Sequence, residues 1–82
     1  MSELERLSDA TLDVRFEAAH RIGDGAALAY LSAEAARRAQ DEEAEAFLLT
    51  QAHALGLEAG LPEVRDWQAR LVALGAEPAK MS

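Results

Sequence analysis

The sequence predicts an all-α domain in which four helices pair as two antiparallel hairpins. Three observations favour this architecture: apolar residues recur at intervals of three and four, alanine is abundant, and glycines separate the periodic segments. The helices are predicted near residues 2–22, 26–39, 42–59 and 62–74. Residues 1–76 are expected to form one domain with a small core, and residues 77–82 a flexible C-terminal tail.

The first helix is predicted to start at Ser2, whose spacing to Glu5 is that of a capping box. Ser8 could instead cap a later start and separate a short leading segment, but we favour one helix that ends at Gly23. The residues predicted to share its core-facing side are Leu4, Leu7, Thr11, Val14, Ala18 and Ile22, with Phe16 and Ala19 beside them.

The second helix is rich in alanine, which forms helices readily and allows close packing. After it, residues 37–45 permit two interpretations. Either Asp41 caps a new helix after a turn at residues 39–40, or one helix continues from Ala26 to about Leu57. We favour the turn, because Asp41 is a good N-cap and the two glutamates that follow suit the positive end of a helix.

Residues 47–57 form the most hydrophobic segment and are predicted to be the central helix of the core, closed by Gly60. Pro62 is expected to open the last helix, since its missing N–H costs nothing at a first helical position. Val64, Trp67, Leu71 and Leu74 recur there at helical spacing, and Trp67 is the largest core anchor among them.

Two fragments in the first hairpin resemble the HEAT family of helical hairpin repeats, particularly the short type described in phycobilisome lyases. They are Asp13-Val14-Arg15-x-x-Ala18-Ala19 and Ile22-Gly23-Asp24-x-x-Ala27-Leu28-x-x-Leu31, within about residues 7–31, and Glu63-Val64-Arg65 is similar to the first. Residues 44–60 are more weakly similar to tetratricopeptide helices. The resemblance implies hairpins that stack and present helical surfaces to other proteins. A compact orthogonal bundle is the alternative arrangement.

Charge and composition limit the possible environments and partners. The chain has 15 acidic and 8 basic residues, a net charge of −7, which opposes binding to nucleic acid phosphates. It has no cysteine, and its longest apolar run is far too short to span a membrane. We therefore expect a cytoplasmic protein that binds neither nucleic acid nor membrane. The abundance of alanine, and of arginine over lysine, is typical of a GC-rich bacterial genome.

Catalytic and metal-binding patterns are weak. Glu17 and His20 have the Glu-x-x-His spacing of di-iron helical bundles, but Thr50 stands where a second such motif, ending at His53, would need a carboxylate. Gly23-Asp24-Gly25 is too short for a phosphate-binding loop and is interpreted as a turn. We expect no enzymatic activity, no metal and no cofactor.

The remaining candidates are partner-binding residues. Aromatic side chains often dominate interfaces, and the acidic run of residues 41–45 could contact a basic surface of a partner. The sequence therefore predicts a non-enzymatic interaction module or accessory subunit with an apolar helical face and an acidic rim, which binds another protein or associates with itself. The alternative is an acidic inhibitor or nucleic-acid mimic. The candidate partner-binding residues are Trp67, Tyr30, Asp41, Glu42, Glu43 and Glu45.

Overall fold

The computed structural model describes residues 3–75, which form a single-turn 3-10 helix and four α-helices without a strand. The 3-10 helix is Glu3–Arg6, and the α-helices are α1 (Asp9–Ile22), α2 (Gly25–Arg37), α3 (Glu42–Ala59) and α4 (Val64–Ala73). Helix α1 contacts α2, α3 contacts α4, and the largest interface joins α2 to α3. This confirms the predicted all-α, four-helix class. The proposed cap at Ser2 and the tail at 77–82 lie outside the described residues.

The prediction of a single first helix from residue 2 to residue 22 is wrong, because the chain turns at Ser8. The Leu7 N–H donates to the Leu4 carbonyl at 3.2 Å, which closes the 3-10 turn. The Ser8 hydroxyl then accepts a hydrogen bond from the Thr11 N–H at 3.1 Å and caps α1. The local capping preference of Ser8 therefore prevails over the continuous apolar periodicity.

The predicted core-facing side of α1 is wrong for Thr11, Val14, Ala18 and Ile22, whereas Phe16 and Ala19 do contact the core. Val14 and Ile22 are 65 % and 75 % exposed, and Thr11 and Ala18 are exposed as well. The buried residues are Leu12 and Ala19, with Phe16 packed against them. Because the turn at Ser8 interrupts the helix, Leu4 and Leu7 reach the core from a separate segment and do not fix the rotation of α1.

The first hairpin turns at Gly23 and Asp24, as the sequence predicts. Gly23 adopts a left-handed conformation with φ of 70°, which a side chain would disfavour. The next N–H, that of Asp24, donates to the Ala19 carbonyl at 2.9 Å. The Asp24 carboxylate accepts a hydrogen bond from the Ala27 N–H at 3.1 Å and caps α2.

Helices α2 and α3 are separate, which confirms the predicted turn. Helix α2 ends at Arg37, and Asp41 caps α3 by accepting a hydrogen bond from the Ala44 N–H at 2.8 Å. Gly60, with φ of 71°, ends α3. The last helix begins at Val64 instead of at Pro62, because residues 61–64 first form a turn in which the Val64 N–H donates to the Leu61 carbonyl.

The core consists of two small clusters that share α2. The first contains Leu12, Ala19 and Leu31, and the second contains Ala36, Leu49 and Leu71. Between α2 and α3 the fully buried residues are small: Ala29, Ser32 and Ala52 are each 0 % exposed. The Ser32 hydroxyl accepts a hydrogen bond from the Gln51 amide at 2.9 Å, so its burial leaves no polar atom unpaired. Small side chains at these positions allow the two helices to lie close together.

Candidate interaction surfaces

The structure brings the two predicted aromatic residues together in one open groove between α2, α3 and α4. The rings of Tyr30 and Trp67 meet edge to face, with centroids 6.0 Å apart and an interplanar angle of 79°. The Tyr30 hydroxyl donates to Glu63 Oε1 at 2.9 Å. The groove has a volume of about 700 Å³, and Leu49 and Ala36 line it together with charged side chains. Both rings are half-buried, so part of each is used in packing within the chain.

The hydrogen bond to Glu63, followed by burial and the negative charge of Glu63, raises the pKa of Tyr30 above its ordinary value of 10.0. We expect Glu63→Ala to lower the pKa of Tyr30 towards that value, because the acceptor and its charge are both lost. Tyr30 is the only tyrosine in the chain, so an ultraviolet titration of tyrosinate absorbance measures it directly. Glu58→Ala, an exposed glutamate of α3 outside this groove, is the control and should leave the titration unchanged. Equal pKa values in wild type and Glu63→Ala would contradict the assignment.

The predicted acidic residues at the start of α3 have different environments. Asp41 caps the helix, and Glu42 and Glu43 are exposed in its first turn. Glu45 accepts two hydrogen bonds from Arg70, at 2.7 and 3.1 Å, and thereby links α3 to α4. The hydrogen bond from Arg70 is the main cause that lowers the pKa of Glu45. Of the predicted acidic partner-binding residues, Glu42 and Glu43 are therefore the exposed ones that neither cap a helix nor form an ion pair within residues 3–75.

Glu34 is a buried carboxylate that the sequence analysis does not identify as a distinct feature. Its side chain is 6 % exposed and accepts hydrogen bonds from Arg37 at 2.8 and 3.2 Å and from Arg38 at 2.7 Å. Burial raises the pKa of Glu34, but the hydrogen bonds and charges of the two arginines outweigh this effect and hold the pKa below its ordinary value. Arg38 also donates to Asp9 and to the Leu4 carbonyl, so this network joins α2 to the N-terminal segments.

An apolar face of α3 is exposed to solvent. Phe47 is 69 % exposed and Leu57 is 59 % exposed, and the exposed residues Thr50 and Ala54 lie between them at spacings of three and four. These four residues form one stripe, hereafter the α3 face, which extends over roughly 15 Å of helix. Helical periodicity places the exposed residues Glu43 and Glu58 on the same side, near its two ends. The α3 face thus combines two large apolar side chains with Ala54 and the polar Thr50, and it has carboxylates at both ends.

A second groove, between α1 and α3, adjoins the α3 face at Ala54. Its volume is about 600 Å³, and its lining includes the apolar residues Phe16, Leu28 and Leu55. Asp13, Glu17 and His20 stand along it on α1. Glu17 and His20 are therefore exposed residues at the edge of a groove. Within residues 3–75, no group of three or more histidine, aspartate or glutamate side chains could hold a metal ion.

The exposed apolar residues of α1 form a different surface. Val14, Ala18 and Ile22 lie on one face of the helix, and helical periodicity places Arg15 and Arg21 on its two sides. Arg15 lies 3.6 Å from Glu3 and Arg21 lies 3.9 Å from Glu17, in exposed ion pairs. The α1 face therefore has mixed charges at its borders, whereas α3 contains no lysine or arginine.

The exposure of Phe47 and Leu57 is not predicted from the sequence, because the whole hydrophobic segment of residues 47–57 is assigned to the core. The signal that could have identified them is the distribution of bulky residues around the complete circumference of α3. A helix packed on two neighbours cannot bury every side, so some of these residues must face solvent.

No protein-family model, curated protein or solved structure matches the chain. The resemblance of the first hairpin to HEAT repeats therefore stays a prediction. Among residues 3–75, no helix combines the length and apolar character that a membrane crossing requires.

Proposed function

We propose that the chain is a small non-enzymatic protein–protein interaction module, or an accessory subunit, that binds its partner through the α3 face. The observation that carries the proposal is the exposure of Phe47 and Leu57 on a helix otherwise packed into the domain. Burial of a large exposed aromatic side chain under a partner is favourable, because it removes apolar surface from water. In this proposal the acidic rim consists of Glu43, which is one of the predicted partner-binding residues, and Glu58, which is not.

The alternative, an acidic inhibitor or nucleic-acid mimic, has less support from the charges. Such a protein needs carboxylates of residues 34–45 along one continuous surface that is free to bind. Glu34 is buried beside two arginines, and Glu45 is paired with Arg70. Glu42 and Glu43 remain exposed, but they occupy the first turn of a single helix.

A capture experiment from lysate of the source organism tests the proposal. We expect a partner retained by the wild-type protein to be lost with Phe47→Ser, because the largest exposed side chain of the α3 face is removed. Val72→Ser is the control, since Val72 is an apolar residue that is 43 % exposed and belongs to another helix, α4. Circular dichroism of both variants is the folding control, and we expect each to keep the helical content of the wild type.

Retention of the same partner by Phe47→Ser would contradict the use of the α3 face. A Glu42→Lys/Glu43→Lys variant separates the alternative function, since loss with this variant alone would support acidic mimicry. Asp41 is left unchanged because its removal would also uncap α3, at a cost of about 1 kcal/mol. Trp67→Ala is a less specific probe, because Trp67 packs against Tyr30 inside the domain.

A further inference from the structure

We propose that the α3 face, with the adjoining groove between α1 and α3, receives a basic amphipathic helix of a partner protein. This inference rests on the proposed function and specifies the chemistry of the partner. Its elements are the spacing of the apolar residues, the apolar groove beside them and the sign of the surrounding charges.

The spacing and shape suit a helix. Phe47, Thr50, Ala54 and Leu57 follow the three- and four-residue intervals by which one helix packs along another. Ala54 and Thr50 are small, so a partner helix can approach α3 closely between the two larger residues. The adjoining groove, lined by Phe16, Leu28 and Leu55, offers an apolar site for a side chain of the partner.

The charges around this surface are predominantly negative. Glu43 and Glu58 stand at the ends of the α3 face, and Asp13 and Glu17 stand along the groove. Glu17 has the exposed Arg21 3.9 Å away, whereas Asp13, Glu43 and Glu58 make no ion pair within residues 3–75. Among residues 3–75, the residues that line the groove include no lysine or arginine. Lysine or arginine side chains beside the apolar residues of a partner helix would complement these carboxylates.

The same charges disfavour a second copy of this chain. Two α3 faces brought together would place Glu43 and Glu58 of one copy near the same acidic residues of the other. Each chain also carries a net charge of −7, so the approach of two copies is opposed at longer range. A basic helix of another protein would be attracted by the same charges.

The test uses three synthetic helical peptides as probes: an amphipathic leucine/lysine peptide, the same peptide with glutamate in place of lysine, and a scrambled leucine/lysine peptide without an apolar face. Binding to the full chain is measured by isothermal titration calorimetry. We expect the first peptide to bind and the other two to bind at least about tenfold more weakly. Its affinity should fall between about 0.1 M and about 1 M salt, as the Debye length shrinks from about 10 to about 3 Å.

Charge reversal on the protein locates the site. Glu58→Lys should weaken binding of the amphipathic lysine peptide about tenfold. Asp66→Lys, the same reversal of charge on an exposed residue of α4, should alter that binding less than about twofold. Equal binding of the lysine and glutamate peptides, tight binding of the scrambled peptide, or equal effects of the two variants would overturn the inference.

Three further outcomes separate this inference from the proposed function. If a captured partner is lost with Phe47→Ser but its binding is insensitive to salt and to Glu58→Lys, the interaction module stands and the basic helix is wrong. If sedimentation shows a dimer that Phe47→Ser dissociates, the occupant is a second copy. If no partner requires Phe47, the proposed function itself fails.

Discussion

Gly56→Ala is expected to destabilise the protein by about 1–3 kcal/mol, the cost of inserting a methyl group into a packed contact. In a helix interior the same change ordinarily stabilises by about 0.5–1 kcal/mol. Here a Cβ on Gly56 would lie 2.6 Å from Val64 Cγ1 and 2.8 Å from Trp67 Cζ3. Val64 is β-branched and stiff, and Trp67 contacts Tyr30, so α3 and α4 must separate. Urea unfolding followed by circular dichroism measures the effect.

Gly25→Ala is the matched control for this prediction. Its Cβ would meet no atom of residues 3–75 within 4 Å, and its backbone is not left-handed, so we expect stability equal to wild type or slightly higher. When Val64→Ala is combined with Gly56→Ala, it should restore part of the stability lost in Gly56→Ala, because it removes the atom closest to the new Cβ. A Gly56→Ala protein as stable as wild type would show that the α3–α4 contact is looser than described.

Arg38→Met is expected to lower the Tm of the protein by several degrees, because it removes hydrogen bonds to charged groups, which are stronger than those between neutral groups. The Arg38 side chain is 21 % exposed and donates to Glu34 at 2.7 Å, to Asp9 at 2.8 Å and to the Leu4 carbonyl at 2.8 Å. Its loss leaves the buried Glu34 carboxylate with Arg37 alone and releases the N-terminal turn from α2. Thermal unfolding checks the change, with a fall in Tm of roughly 4–8 °C for each kcal/mol in a domain of this size.

Arg21→Met is the control, since its exposed pair with Glu17 at 3.9 Å should contribute less than about 0.5 kcal/mol. The pH dependence gives a second check. The pKa of Glu34 is lowered in the folded protein, so its pairing stabilises the fold fully above the ordinary value of 4.5 and is lost as the pH falls through the lowered pKa. The difference between wild type and Arg38→Met should therefore narrow in acid. Equal losses from Arg21→Met and Arg38→Met would contradict the assigned network.

The helix ends could be predicted because each depends on a few neighbouring residues. Gly23 and Gly60 take left-handed conformations, and Asp41 caps α3. Helix α4 starts at Val64, two residues later than predicted, because Pro62 lies in a turn that precedes the helix. Ser8 is a possible N-cap in the sequence, but the apolar periodicity on both sides of it favours one continuous helix, and the structure instead has a turn at Ser8.

The faces of the helices could not be predicted with the same success. In α1, Val14 and Ile22 have the same spacing as core residues, and only the contact with α2 selects Leu12 and Ala19 instead. The same applies to Phe47 and Leu57 on α3. Pairings across the fold, such as Tyr30 with Glu63 or Glu45 with Arg70, depend on the positions of whole helices and have no local signal in the sequence.

The small side chains between α2 and α3 have a consequence for the temperature dependence of folding. Alanine and serine expose little apolar area when the chain unfolds, and Ala29, Ser32 and Ala52 occupy the most completely buried positions. The heat capacity change of unfolding should therefore lie below the roughly 1 kcal/mol/K usual for a chain of this length. A smaller heat capacity change flattens the curve of unfolding free energy against temperature. The modest stability of this domain should accordingly vary little between cold and warm conditions.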